Sequence, residues 1–521
     1  MAGRRGRRRV AVGACLRGLA ALLIGLGAAR AGAGDARPAP AAPPAADGKL
    51  LHEADGRAYR IERIPKAGAR YDWIDARTVR YYPFARYEVA REDADYLYVK
   101  QYVATPQKPA TAALPVPGRV DLPRTSRIAL RDFGEGLPRA GQWRDDFALA
   151  DIDGDGHLDI AFAPPRKSFS RPVVFRGDGR GRWSRWSAPR WPELPYDYGA
   201  AAAADFDADG HVDLAFGMHL RGLTVLAGDG KGGFSRHDRG LPLGVPGSAT
   251  PPTYSTHAIG VLDWNGDHRP DLIALDEGLL GSAGGHAGVS IFVAGREAWT
   301  RAALPKTRLP RGNTSLATIA GERGRRTIVV GDDADGRATA FEFAAGRVVA
   351  RVLDGLPAGA IVRASAAADL AGDGRPGLAV AYQHRTAEGW QGAIDLFRRD
   401  GERYVREPLL AEPTRSVGAL AFGHLASPRA FDLAALRSDG TLLLFAADGK
   451  GAYTRDHEQP APPWRAGCSG HALHLGDLDG DGRDEIVAAF AGEPNAMMLR
   501  RDCAAGGGIE AWHVAGTPAQ R

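Results

Sequence analysis

The chain repeats itself, and the period of that repeat narrows its folds more than any other feature. Five segments share an acidic loop followed by an apolar run: DIDGDGHLDIAFA from Asp151, DFDADGHVDLAFG from Asp205, DWNGDHRPDLIAL from Asp263, DLAGDGRPGLAVA from Asp369 and DLDGDGRDEIVAA from Asp477. Two weaker copies fill the gaps. IAGERGRRTIVVG, from Ile319, keeps the apolar tail without the acids, and HLASPRAFDLAAL, from His424, keeps only Asp432 of the acidic pattern. The seven starts lie 50 to 58 residues apart and their units fill nearly everything from residue 126 onward. A regular period of this size means an array of one supersecondary unit.

Each unit has the same internal order. A short apolar run (Phe147 to Ala150) precedes the acidic loop, and a β-type run (Leu158 to Phe162) follows it. A third run ends in a glycine turn (Val173 to Gly179), and a more polar fourth closes the unit (Arg182 to Trp186). Short runs between Gly, Asp and Pro punctuation read as strands. Four strands per unit match a propeller blade. No unit carries a helical period, which excludes a helical solenoid.

On these residues the chain resembles the FG-GAP/VCBS repeat family, also found in integrin alpha-chain propellers and in some lectins and polysaccharide lyases. The resemblance rests on D-x-D-x-D-G-x-x-D followed by a β run and covers about three quarters of the chain. It implies an all-β fold, a seven-bladed β-propeller of four-stranded blades, over residues 126–521. It implies little about function, because one fold hosts many. Residues 49–125 hold four candidate strands, Arg57 to Ile64, Thr78 to Tyr82, Arg86 to Ala90 and Tyr96 to Val103, enough for a small cap or an eighth blade. The run Arg127 to Leu137 looks like the fourth strand of a blade, and joined to the last blade it would close the ring and remove sheet edges. The last unit, however, offers its own candidate fourth strand, Ile509 to Val514.

The acidic loops read as metal sites. In the first, Asp151, Asp153, Asp155 and Asp159 stand at alternating positions, with Gly156 for the sharp turn. Alternation gathers the carboxylates on one concave side, and hard oxygen ligands in sixfold or higher number suit calcium better than zinc. The start matches an EF-hand loop, but Phe162 stands where that pattern needs an acid, and a β run follows instead of a helix. The second loop repeats the set with Asp205, Asp207, Asp209 and Asp213. The third has Asp263, Asn265, Asp267 and Asp271, and the seventh Asp477, Asp479, Asp481 and Glu485. The fifth keeps Asp369 and Asp373 but has Ala371 and Gly377, and is expected to be weak or empty. About four calcium ions, in structural rather than catalytic roles, are expected. Unneutralised, such clustered acids would repel one another.

In a propeller these loops share one face with the turns between third and fourth strands. The opposite face carries the connections between blades and the turns between second and third strands, which here are rich in aromatic, His and Arg residues. Trp143, Tyr198, Tyr254, His257, Arg363, Trp390, Trp464 and His471 are candidate ligand contacts. Such a mixed surface suits a carbohydrate or an extracellular protein. The rival readings are a secreted enzyme on the same scaffold, for instance a polysaccharide lyase using His257, His471 or Arg363, and a structural or adhesive surface protein. No G-x-S-x-G, phosphate loop, H-E-x-x-H or C-x-x-C points to other chemistry.

The N-terminus bears on location. Arg4, Arg5, Arg7, Arg8 and Arg9 precede an apolar stretch from Leu19 to Ala29 and the small-residue exit Ala29-Arg30-Ala31. This reads as a secretory signal peptide over residues 1–31, too short to span a bilayer, followed by an Ala/Pro-rich linker over 32–48. The expected location is therefore secreted or periplasmic. Removing the signal takes seven arginines and no acids, leaving 60 basic against 62 acidic residues, a charge of −2 where the whole chain has +5. The basic balance thus supports no nucleic-acid partner. Cys468 and Cys503 remain, 35 residues apart, a plausible disulfide in an oxidising compartment.

Overall fold

The computed structural model describes residues 51–516 except 53–57, 67–70, 74–77, 82–84, 104–121, 126, 166–170, 245–253, 257, 277–287, 303–312, 322–323, 333–336, 345–346, 414, 493–502 and 504. The proposed signal segment and linker lie outside the described residues. The chain divides into two compact units, Met1–Pro106 and Gln107–Arg521.

The first unit is one six-stranded antiparallel sheet of Leu51–His52, Ala58–Pro65, Tyr71–Trp73, Thr78–Tyr81, Ala85–Glu92 and Tyr96–Val103. Their spatial order is first, second, sixth, fifth, fourth, third. Among the described residues Ile61, Ile64, Leu97, Tyr98 and Val99 are buried in it. Six strands in this order are not a four-stranded blade, so this region does not supply an eighth.

The second unit is a β-propeller of seven four-stranded antiparallel sheets. Blade 1 consists of Ala148–Ala150, Asp159–Phe162, Val173–Gly177 and Trp183–Arg185. First strands of successive blades pack side by side from Ala148–Ala150 to Ser469–Gly476. The ring then closes, because His474 on the last of them lies 2.6 Å from Asp146 and stacks obliquely on Phe147. The first strands crowd the axis and are built of small residues, the extreme being Ala201–Ala204. Second strands are covered on both faces, so Asp213–Met218 and Asp432–Arg437 are buried at every residue and read as continuous rather than alternating apolar runs.

The cores lie between blades. Phe147, Ile160, Phe162 and Phe175 of blade 1 interleave with Val487, Ala489, Ile509 and Ala511 of blade 7. Leu433, Leu443 and Phe445 of blade 6 meet Ile394, Leu396 and Leu410 of blade 5. Each of the larger side chains contributes about 1.5–3 kcal/mol on burial.

Blade 7 is made from both ends of the propeller sequence. Gly507–Gly516 pairs with Glu485–Ala491 on one edge and with Ile128–Asp132 on the other, in register from Trp512↔Asp132 to Gly516↔Ile128. The segment Ile509 to Val514 is therefore the third strand of its blade, not the fourth, and the upstream strand covers the edge it would otherwise leave open. A buried carboxylate fastens that upstream strand. Asp456 of blade 6 accepts hydrogen bonds from the Thr125 hydroxyl (2.6 Å), Arg127 N–H (2.8 Å) and Ile128 N–H (2.7 Å). Cys468 and Cys503 form a disulfide with Cα atoms 4.7 Å apart. Closing a loop of this length stabilises by about 4 kcal/mol in the chain-entropy model. Among the described residues no helix is long and apolar enough to cross a membrane.

Candidate functional site

Each acidic loop joins the first and second strands of its blade, and short-range hydrogen bonds fold it. In blade 1, Asp151 accepts the N–H of Asp155 (3.0 Å) and of Gly156 (2.9 Å), and Asp155 accepts that of His157 (2.9 Å). Blade 2 repeats the set with Asp205 accepting from Asp209 and Gly210, and Asp209 from His211. Gly156, Gly210 and Gly482 hold φ of +90°, +89° and +85° at the same loop position, where a Cβ is disfavoured. Blade 5 keeps the turn, with Asp369 accepting from Asp373 and Gly374, although it lacks the third and ninth carboxylates. The loop conformation therefore needs only its first and fifth acids.

The ninth acid has a second task. Asp159, fully buried, accepts Ile152 N–H on one oxygen and Gly177 N–H of the third strand on the other. Asp213 does the same with Phe206 and Gly228, and Asp271 with Trp264 and Ala294. Asp432 of blade 6 makes the same bonds to Leu425, Ala426 and Ala447 where no other loop acid survives. This position is a staple between loop and third strand, independent of any metal. The sequence signal for it is the lone acid left in the degenerate sixth copy.

Three loops gather carboxylate oxygens within 4.8 Å of one another: Asp151, Asp153 and Asp159; Asp205, Asp207 and Asp213; and Asp477, Asp479 and Asp481. These groups could hold a metal ion. Burial, with Asp153 and Asp155 next, pushes the Asp159 carboxyl up to about 7. Asp213 rises to about 7 through burial and Asp207, and Asp271 to about 6 through burial and Asp267. A cation among them would offset this cost of ionisation, so the donor set fits a hard, oxygen-ligated metal. In the third loop Asn265 donates to Asp267 (3.0 Å), and the Arg326 guanidinium lies 3.7 Å from Asp263. In the first, Arg176 donates to Asp153 (2.8 Å).

The opposite face is only partly as expected. Trp143 is a core residue, 3% exposed, edge-on to Phe162 and Phe175 with its indole N–H on the Ala140 carbonyl. Tyr254 is likewise buried, edge-on to Phe292. Both complete blade interfaces and cannot meet a ligand in this conformation. His257 lies outside the described residues. Tyr198 stacks on His219 at 4.8 Å, Arg363 donates to Gln383, and His471 is exposed. Trp390, 45% exposed, is the second residue of the third strand of blade 5, paired with Arg385 beside the turn that joins it to the second. Trp464 lines a cavity of about 250 Å³ with Asp132, Arg139, Gln459 and Glu510 at the seam of blades 6 and 7. That seam was not legible beforehand, because half of it belongs to the strand that closes the ring.

Fold and loops together define the class: a β-propeller whose blades repeat a loop between their first and second strands, acidic in several of them. A family model described as an FG-GAP-like repeat matches residues 151–216, from the first acidic loop through the second strand of blade 2. No curated protein matches the chain. Solved structures similar to it include a protein from Lactobacillus plantarum, 11% identical, with 63% of this chain and 86% of that one covered and a TM-score of 0.44. Another is a mutant Aleuria aurantia lectin in complex with alpha-methyl-L-fucoside, 14% identical, with 62% and 98% covered and a TM-score of 0.36. The same lectin mutant with Fucalpha1-6GlcNAc is 15% identical, with the same coverage and TM-score.

Proposed function

We propose that this protein is an exported, calcium-stabilised β-propeller that binds a carbohydrate through the face opposite its acidic loops. The observation that carries the binding reading is the seam cavity. It brings the Trp464 indole together with two carboxylates, an amide and the Arg139 guanidinium, whose centre lies over the indole ring at 5.8 Å. An aromatic plane for the apolar face of a sugar, ringed by donors and acceptors for its hydroxyls, is what a small polar ligand needs. Glu510 is held in place by Arg465 at 2.8 Å. Export is supported by the arginine-led apolar N-terminus and by a disulfide, which persists in oxidising compartments.

The binding test is a glycan array probed with the protein with and without calcium, followed by titration of the best ligand against Trp464→Ala and Trp390→Ala. Trp464→Ala is expected to weaken binding at least tenfold with an unchanged melting temperature. Loss in Trp390→Ala alone would move the site to blade 5, and a silent array would remove the carbohydrate reading. For calcium, a cation that binds only the folded state at a hundredfold excess over its Kd stabilises by about 2.7 kcal/mol per site. Chelation is thus expected to lower the melting temperature by several degrees and calcium to restore it. An unchanged transition would contradict the assignment.

A further inference from the structure

The strand register exposes a position that the loop pattern hides. In blades 1, 2, 3 and 7 the residue after the ninth acid pairs across the sheet: Ile160↔Phe175, Leu214↔Leu226, Leu272↔Phe292 and Ile486↔Trp512. The next residue along each third strand, Arg176, Ala227, Val293 and His513, is therefore equivalent in all four. In blade 1 that position sends a guanidinium to Asp153. In blades 2 and 3 it presents no polar side chain. In blade 7 it presents an imidazole.

His513 Nδ1 lies 3.0 Å from Glu485 Oε1 and 3.2 Å from Asp479 Oδ2. The three ligand atoms lie within 4.8 Å of one another, and Glu485 is fully buried. The exchange of Asp for Glu at the ninth position makes this arrangement possible. In blades 1 to 3 the aspartate spends both oxygens on backbone N–H groups. Glu485 is longer by one methylene; its Oε2 takes Leu478 N–H (2.9 Å), while its Oε1 goes to the histidine.

We propose that Asp479, Glu485 and His513 form a site for a first-row transition-metal dication, set beside the all-oxygen group of Asp477, Asp479 and Asp481. Two arguments support it. Imidazole with two carboxylates is a donor set that suits zinc, iron or nickel, whereas calcium takes oxygen alone. Metal bonds of about 2.1 Å place neighbouring ligand atoms about 3.0 Å apart at right angles and about 3.4 Å apart at the tetrahedral angle. The observed 3.0 and 3.2 Å are close enough to both spacings for a metal to enter with small side-chain shifts, and the donor set carries the choice of metal. One ring nitrogen faces two carboxylate oxygens at a point where a dication would serve all three groups.

The test uses the full chain stripped of metal by chelation. Zinc chloride is titrated calorimetrically and cobalt chloride by visible absorption, against wild type, His513→Gln, Glu485→Asp and the blade 2 control Asp205→Asn/Asp207→Asn. Wild type and control are expected to take up zinc and cobalt alike. Because losing even an outer-shell partner costs about 10–100-fold in metal affinity, His513→Gln should lose at least tenfold. Glu485→Asp keeps the imidazole but withdraws the carboxylate, so it should lose affinity as well and decides the matter if His513→Gln fails to fold. Equal affinity in the folded variants, absence of uptake by wild type, or loss confined to the control would each overturn the proposal. Thermal shifts with calcium are measured on His513→Gln as well as wild type, where the blade 1 and blade 2 groups are intact, so the calcium assignment and this one fail independently.

Discussion

Replacing Asp456 by alanine is expected to lower the melting temperature of the propeller by about 5–10 °C, measured by calorimetry on the full chain. The carboxylate has no exposure and accepts three hydrogen bonds at the point where the chain enters the strand Ile128–Asp132. Hydrogen bonds to a charged group contribute about 1.5–3 kcal/mol each, and donors left without an acceptor in a buried place add their desolvation cost. A loss of about 3–5 kcal/mol follows, since the contributions are not independent, and each kcal/mol moves a domain of this size by about 2 °C. The effect is larger than for a comparable bond elsewhere because Ile128, 2% exposed, sits in the core of blades 6 and 7 and belongs to the strand that pairs with the outer edge of Gly507–Gly516. Asp456→Asn keeps one acceptor oxygen and should lose about half as much. Amide exchange of residues 128–132 should quicken in step with the melting temperature. A melting temperature within 1 °C of wild type would mean that ring closure rests on strand pairing alone.

How much of this was legible beforehand depends on whether a feature repeats. The propeller was readable because seven copies at a near-constant period agree, and errors in one copy are corrected by the others. The fourth strand of blade 7 broke that rule. Its partner is some 380 residues away, so Ile509 to Val514 took the last place in a local count while the true last place was filled from upstream. The loop acids were readable because their spacing is local. His513 and Arg176 were not, because the turn between second and third strands varies in length. The two residues stand 36 and 25 positions after their loop starts, and only pairing shows that they are equivalent. Trp143 and Tyr254 failed for a different reason. Connections between blades vary too much in length to carry a period, so nothing in the chain separates an aromatic that plugs a blade interface from one that meets solvent.

The second large effect is expected at Arg437. It ends the second strand of blade 6 with 1% of its side chain exposed, donating to both oxygens of Glu412 on blade 5 and to Glu458 at 2.8 Å. Arg455 closes the square, 3.2 Å from Glu412 and 2.5 Å from Glu458. Removing one member of a buried charge cluster strands its partners, at about 3–5 kcal/mol, whereas removing opposite charges together can be nearly neutral. Arg437→Met should therefore destabilise more than Arg437→Met/Glu412→Gln, although the double variant discards more polar groups. The pH dependence carries a definite sign. Burial pushes the Glu458 carboxyl up, but Arg437 and Arg455 outweigh it and hold the group below the usual glutamate range. A carboxylate depressed in the folded state stabilises above its unfolded value and loses that contribution as pH falls through the folded one. Without Arg437 much of the depression goes, so protonation relieves the variant in the same range where it weakens wild type. The gap in melting temperature should be widest near pH 7 and should narrow toward about pH 4. A gap that stays constant with pH would show that Arg437 acts by filling space, and a single variant no worse than the double would show that Arg455 alone neutralises both glutamates.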